Sequence, residues 1–132
     1  MNVLITGAAS GIGFSFAKMF ASKGFNIIII DKQEKNLELK KKELEEKYKI
    51  KVISILKDLS TTNAVKEIYN ELKEKNIEVD ILINNAGLEL LENLLQFHMK
   101  DKKNCLMLTF LQLWKCVICS EMICYLRKKV EL

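Results

Sequence analysis

A doubly wound α/β sheet, with parallel strands covered on both faces by helices, is the fold class this sequence predicts. Three observations carry it. A glycine-rich turn, Gly7-Ala8-Ala9-Ser10-Gly11-Ile12-Gly13, sits between a short apolar run and a helix-like stretch. Asn26-Ile27-Ile28-Ile29-Ile30-Asp31 is an unbroken β-branched run of the kind buried on both faces of a parallel sheet. Apolar runs then alternate with helix-length segments, which specifies parallel strands joined by right-handed crossovers. The sheet expected is truncated to about four strands, and an apolar helical tail follows it.

Each element has its own warrant. Asn2-Val3-Leu4-Ile5 reads as the first strand, and the helix after the turn has apolar positions at 12, 16, 19 and 20 and ends at Gly24. Residues 33 to 48 read as an exposed helix whose narrow inner stripe is Leu37, Leu44 and Tyr48, with Glu38–Lys42 and Glu43–Lys47 as i,i+4 pairs. Lys51 to Leu56 is the third strand. Ser60, Thr61 and Thr62 are cap candidates for a helix with a stripe at 65, 68, 69 and 72. Val79 to Ile83 is the fourth strand, ending at Asn84.

Beyond Gly87 the pattern changes. Glu89 to His98 reads as helix, residues 100–104 as a polar break, and Cys105 to Leu126 as a strongly apolar helix. No fifth strand is expected, so the fourth should remain an edge with unpaired backbone groups. The apolar stretch is long enough to span a bilayer, but Lys115 near its centre is costly there, which favours a buried or self-associating helix.

Composition narrows the class. A chain of 132 residues makes one domain, and 49% apolar with 29% charged residues fits a folded globular protein. The net charge of +4 comes from lysines spread along helices, which argues against a nucleic-acid partner. There are no prolines and five glycines, used where backbone geometry demands them. Met1 leads straight into a core strand, so a cytoplasmic location and four reduced cysteines are expected. Cys116-x-x-Cys119, with Cys105 and Cys124 nearby, lies in apolar sequence without a histidine, and reads as buried hydrophobes rather than a metal site.

The turn carries the chemistry. Bare backbone N–H groups and the positive end of a helix dipole would meet where a pyrophosphate can rest. Gly7 would permit the tight turn, Gly11 the close approach to phosphate, and Gly13 the packing of helix on strand. Asp31 closes the second strand eighteen residues after Gly13. A carboxylate there accepts hydrogen bonds from ribose hydroxyls and repels a 2′-phosphate, which favours NAD; Lys32 and Lys35 nearby soften that preference and leave NADP open. Read alone, Asp31 also fits an ordinary polar strand end, and Asp58 fits a turn or helix cap.

Thr6-Gly7-x-x-x-Gly11-Ile12-Gly13 together with Asn84-Asn85-Ala86-Gly87 resembles the short-chain dehydrogenase/reductase family, from Asn2 to about Leu88. The resemblance implies a Rossmann-type NAD(P)-binding half domain over residues 1–98, with 99–132 as a tail that departs from the family. It implies cofactor contacts from Thr6, Gly7, Ser10, Gly11, Ile12, Gly13 and Asp31. It also implies them from Asp58 beside the adenine, Leu59 in apolar contact with the base, and Asn85, Ala86 and Gly87.

The parent activity so implied is hydride transfer between NAD(P) and an alcohol or carbonyl. The family's catalytic serine, which follows a fifth strand, and its Tyr-x-x-x-Lys are not found in place. Tyr69/Lys73 falls in the third helix, Tyr125/Lys129 comes too soon after Gly87, and Asn104 stands too early for the family's helical asparagine. His98 reads as a surface residue. The expectation is a truncated, frameshifted or incomplete oxidoreductase that keeps its cofactor contacts and self-associates through its tail. The alternatives are a non-catalytic nucleotide- or partner-binding module and a non-functional remnant.

Overall fold

In the central strands, successive side chains go to opposite faces, and each face builds its own core. The computed structural model describes residues 1–86 and, as backbone alone, the strand at 106–109. In chain order the elements are β1 (Asn2–Thr6), α1 (Gly11–Ala21), β2 (Asn26–Asp31), α2 (Glu34–Tyr48), β3 (Val52–Leu56), α3 (Ala64–Glu74), β4 (Ile81–Asn84) and β5 (Leu106–Thr109). They form one parallel sheet ordered β3-β2-β1-β4-β5. Val3, Ile5, Ile27, Ile29, Ile81 and Ile83 pack under α1 and α2 through Phe14, Ala17, Phe20, Leu37 and Leu44. Leu4, Ile28, Ile30 and Leu82 pack under α3 through Ala64, Ile68 and Leu72. Helices on both faces are the doubly wound arrangement, and β2 runs over the six residues expected.

The amino ends of the strands are tied by side-chain amides. Asn2 Nδ2 donates to the Glu78 carbonyl at 2.6 Å, Asn26 Nδ2 donates to Asn2 Oδ1 at 3.3 Å, and the Lys51 N–H donates to Asn26 Oδ1 at 3.3 Å. This chain of bonds closes that end of the sheet. Functional groups are left to the carboxyl end.

Several expectations are corrected. Leu106–Thr109 forms a fifth parallel strand paired with β4, Ile81 opposite Leu106 and Asn84 opposite Thr109. The sheet therefore has five strands, β4 is not an edge, and the tail is extended rather than helical at these four residues. Four apolar-leaning residues inside a longer apolar run carry no period of their own, so only pairing with β4 marks them as a strand. Ile12 is 43% exposed and does not belong to the inner stripe of α1, which is Gly13, Phe14, Phe16, Ala17, Phe20 and Ala21. The N-cap of α3 is Asn63, not Ser60 to Thr62. Glu38 accepts from Ser54 Oγ at 2.6 Å, and the ion pair on α2 is Lys40–Glu43 at 2.9 Å.

Gly87, the helix expected at 89–98, the boundary at 98/99, all four cysteines, His98, Asn104, the Tyr125/Lys129 pair and the tail after Thr109 lie outside the described residues. Among the described residues no helix is long and apolar enough to cross a membrane, and no group of side chains could hold a metal ion.

The reassigned face of α1 is testable by chemical unfolding. Phe20 is fully buried and meets Phe25 edge-on at 5.6 Å between ring centroids. Phe20→Ala should cost about 3–5 kcal/mol, enough to threaten the fold. Ile12→Ala should stay within about 0.5 kcal/mol. A large loss at Ile12 would restore it to the core.

Candidate functional site

In the order β3-β2-β1-β4, connections on one side of β1 run under α1 and α2, while α3 feeds β4 along the other face. The carboxyl ends of β1 and β4 flank the switch point, where ligands bind in such sheets. A cleft of about 360 Å³ opens at this carboxyl end. Gly7 and Ser10 line it from the turn after β1, and Ile30, Asp31, Lys32 and Gln33 from the end of β2. Lys57, Asp58, Leu59 and Ser60 line it after β3, and Asn85 and Ala86 after β4.

Thr6 ties this end together. It is buried, and its hydroxyl accepts from the N–H groups of Asn85 and Ala86, each at 3.0 Å, while donating to Asn84 Oδ1 at 3.1 Å. Asn85 Nδ2 donates to the Gly7 carbonyl at 3.2 Å, a second link between the two motifs. Asn84 Nδ2 is buried and, among the described residues, has no hydrogen-bond partner.

The turn after β1 is anchored in its first half and open in its second. The Ala8 N–H donates to the Ile30 carbonyl at 3.3 Å and the Ala9 N–H to Asp31 Oδ2 at 3.0 Å. Ser10, Gly11 and Ile12 are exposed. The side chain of Ser10 makes no capping bond and no acidic residue stands in the first turn of α1. First-turn N–H groups have no acceptor within their own helix, so those of α1 and the positive end of its dipole are left to an anion. Gly11 has φ +55°, and a Cβ built on it meets nothing within 4 Å. Gly13 is the opposite case: a Cβ there would stand 2.1 Å from the Gly7 carbonyl oxygen and 2.7 Å from Asn85 Nδ2. The uncapped helix start, the open space at Gly11 and the carboxylate at the end of β2 fit a dinucleotide's pyrophosphate and ribose.

At the far wall, Asp58 Oδ1 accepts from the Ser60 hydroxyl at 2.7 Å and the Ser60 N–H at 2.9 Å. These bonds, with a lesser contribution from the charge of Lys32, hold the exposed Asp58 carboxyl below its ordinary pKa against an opposing desolvation. Asp58 is therefore an ionised turn residue that also lines the cleft. Leu59 is only 6% exposed, packed in the α3-side core with an edge toward the cleft.

Of the residues expected at the site, Gly7, Ser10, Asp31, Asp58, Leu59, Asn85 and Ala86 line one cleft. Thr6 braces it, Gly13 packs beneath the turn, and Gly11 and Ile12 are exposed just past Ser10. Ile30, Gln33, Lys57 and Ser60 also line the cleft without having been expected there; their place at or within four residues of a strand end was the signal available. Tyr69 lies in α3, with the Lys73 ammonium 6.0 Å from its ring centroid, and neither residue lines the cleft.

Comparison with known proteins agrees with this fold. A family model described as short chain dehydrogenase matches residues 1–122. A very-long-chain 3-oxoacyl-CoA reductase of Candida glabrata is 40% identical over 86 residues, 64% of this chain and 24% of that relative. The human inactive hydroxysteroid dehydrogenase-like protein 1 is 37% identical over 86 residues, 64% of this chain and 25% of its own. Among solved structures, L-sorbose reductase from Gluconobacter frateurii, complexed with NADPH and L-sorbose, superposes with a TM-score of 0.62 at 32% identity, over 66% of this chain and 33% of that one. A short-chain dehydrogenase from Sphingobium yanoikuyae in complex with NADPH gives 0.60 at 32% identity, over 66% and 34%. The chain spans about a quarter of the length of these curated relatives.

The two glycines separate packing from binding. Gly13→Ala drives a methyl into backbone that cannot yield and should destabilise by about 3 kcal/mol or more, read as a fall in the urea midpoint. Gly11→Ala should cost only about 1–2 kcal/mol for its left-handed backbone, yet weaken anion binding because its methyl enters the open side. Equal unfolding midpoints for the two variants would contradict the close approach at Gly13.

Proposed function

The chain belongs to the short-chain dehydrogenase family, and on that premise we propose that residues 1–98 are an NAD(P)-binding half domain that holds the adenosine and pyrophosphate of a dinucleotide. The observation that carries this reading is the convergence in one carboxyl-end cleft of the glycine-rich turn, Asp31, Asp58, Leu59, Asn85 and Ala86. The N–H groups at the start of α1, beyond Ser10 and through Gly11, Ile12 and Gly13, hold the pyrophosphate. Asp31 accepts from the ribose hydroxyls, Asp58 and Leu59 flank the adenine, and Asn85, Ala86 and Gly87 border the cofactor, with Thr6 bracing them. When bound, the dinucleotide supplies hydride chemistry at its nicotinamide. Asp31 favours NAD, and Lys32 leaves NADP admissible; solved neighbours from Gluconobacter frateurii and Sphingobium yanoikuyae hold NADPH.

The proposed parent activity is hydride transfer between NAD(P) and an alcohol or carbonyl. The chain as given lacks the family's catalytic serine and a correctly placed Tyr-x-x-x-Lys, so it binds the cofactor without turning over. A second reading, a non-catalytic nucleotide- or partner-binding module, is favoured by the similarity to a relative named inactive. The apolar residues of 99–132, among them Leu113, Trp114, Val117 and Ile118, are the proposed means of self-association. A cytoplasmic location remains part of the proposal.

Calorimetric titration should give tighter binding of NAD than NADP, with the difference narrowed in Asp31→Ala. Equal or tighter NADP binding by the unmutated chain overturns the assignment of Asp31. The same preparation should not reduce NAD with a panel of alcohols; turnover abolished in Tyr125→Phe would make that pair an active site. Static light scattering should return a mass above the monomer that rises with concentration. A constant monomer mass removes self-association from the proposal.

A further inference from the structure

We infer that Asp31 is a positioning residue for the phosphate-binding turn as well as a ribose contact, so that one carboxylate couples nucleotide choice to the order of the anion cradle. The inference rests on the dinucleotide reading above and goes beyond it in assigning the turn's anchorage. Asp31 Oδ2 accepts from the Ala9 N–H at 3.0 Å and Oδ1 from the Gln33 N–H at 3.1 Å. The only other backbone link from the turn to β2 among the described residues is Ala8 N–H to the Ile30 carbonyl, the longer at 3.3 Å. Ala8 and Ala9 are buried, whereas Ser10, Gly11 and Ile12 are exposed. Anchorage of the turn thus ends at Ala9, one residue before the N-cap of α1.

Removing the acceptor would strand a buried N–H, and such a group relieves its cost by moving toward water. Downstream, the Ser10 side chain makes no capping bond, and the bonds from Phe14 N–H to the Ser10 carbonyl and from Ser15 Oγ to the Gly11 carbonyl lie within the turn and α1 and do not tie it to β2. The two jobs are compatible. Each carboxylate oxygen offers two lone-pair directions, and the backbone uses one on each, leaving one on each for a ribose hydroxyl. A 2′-phosphate brings charge and no such donor. Swinging Asp31 aside to admit it would break both bonds and loosen the turn where the pyrophosphate must rest. Discrimination against a 2′-phosphate therefore comes from a held carboxylate as well as from its charge.

The test compares Asp31→Asn with Asp31→Ala in the full chain. Both variants remove the charge that repels an anion, so any difference between them isolates the acceptor. Two readouts are taken: amide hydrogen exchange at Ala9 without ligand, and the affinity for inorganic pyrophosphate, a probe with no ribose. The alanine variant should exchange Ala9 about fivefold faster than the asparagine variant and bind pyrophosphate about fivefold more weakly, the change one ordinary hydrogen bond supports. Should Asp31→Ala not fold, Asp31→Ser, whose hydroxyl sits one bond nearer the backbone than the carboxylate oxygens, takes its place. Equal exchange and equal pyrophosphate affinity in the two variants, with normal binding by the unmutated chain, overturn this inference alone. An unmutated chain that binds no pyrophosphate removes the dinucleotide reading and this inference with it.

Discussion

The hydroxyl of Thr6 is the interaction on which the functional end of this molecule depends. At the carboxyl ends of β1 and β4 the ladder stops, and the N–H groups of Asn85 and Ala86 pass beyond it. Thr6 Oγ1 accepts from both and gives its own proton to Asn84 Oδ1. One buried hydroxyl thereby uses its whole hydrogen-bonding capacity to join the two strands that border the cleft. An apolar side chain of the same shape would leave two backbone donors unpaired, and each costs about 1–3 kcal/mol when buried. The motif around Gly7 and the motif around Asn85 are therefore one structural unit, although 78 residues of sequence separate the partners Asn85 and Gly7.

That unit works only because the turn above it is tight. Gly13 lies so close to the Gly7 carbonyl that a methyl group has no room, and the start of α1 is consequently pressed against β1. The start of α1, directly after the cleft-lining Ser10, is thereby held close to the carboxyl end of β1. Burial elsewhere serves this arrangement: Phe14 and Phe20 lock α1 onto one face of the sheet, and Ile68 and Leu72 lock α3 onto the other. The amide chain through Asn2 and Asn26 closes the opposite end, where no cleft is needed.

Much of this was legible in the chain. The run Asn26 to Asp31 could be little other than a two-faced buried strand, because β-branched residues without polar alternation suit no exposed face. The helix over Glu34 to Tyr48 was legible from its lysines, glutamates and sparse leucines. Phase was harder. Ile12 looked like the first core residue of α1 because it stands four residues before Phe16, but it falls in the exposed first turn, and the buried face starts at Gly13 and Phe14. Strand β5 was invisible for a different reason: four residues within an apolar stretch pair with β4 at a distance that no local pattern encodes.

By itself the sequence determined the fold class, the order of the first seven elements, the place of the glycine-rich turn and the family its motifs resemble. Those properties follow from local rules: side-chain period, β-branching, and the few backbone angles that glycine alone adopts cheaply. Tertiary structure alone decided that the Thr6 hydroxyl donates to Asn84, that Asp31 grips Ala9 while facing the cleft, that Leu59 belongs to core and cleft together, and that β4 is not an edge. Each of these needs two segments distant in sequence to meet at hydrogen-bonding or van der Waals range. Only the folded sheet, by stacking β3, β2, β1, β4 and β5 in that order, brings them there.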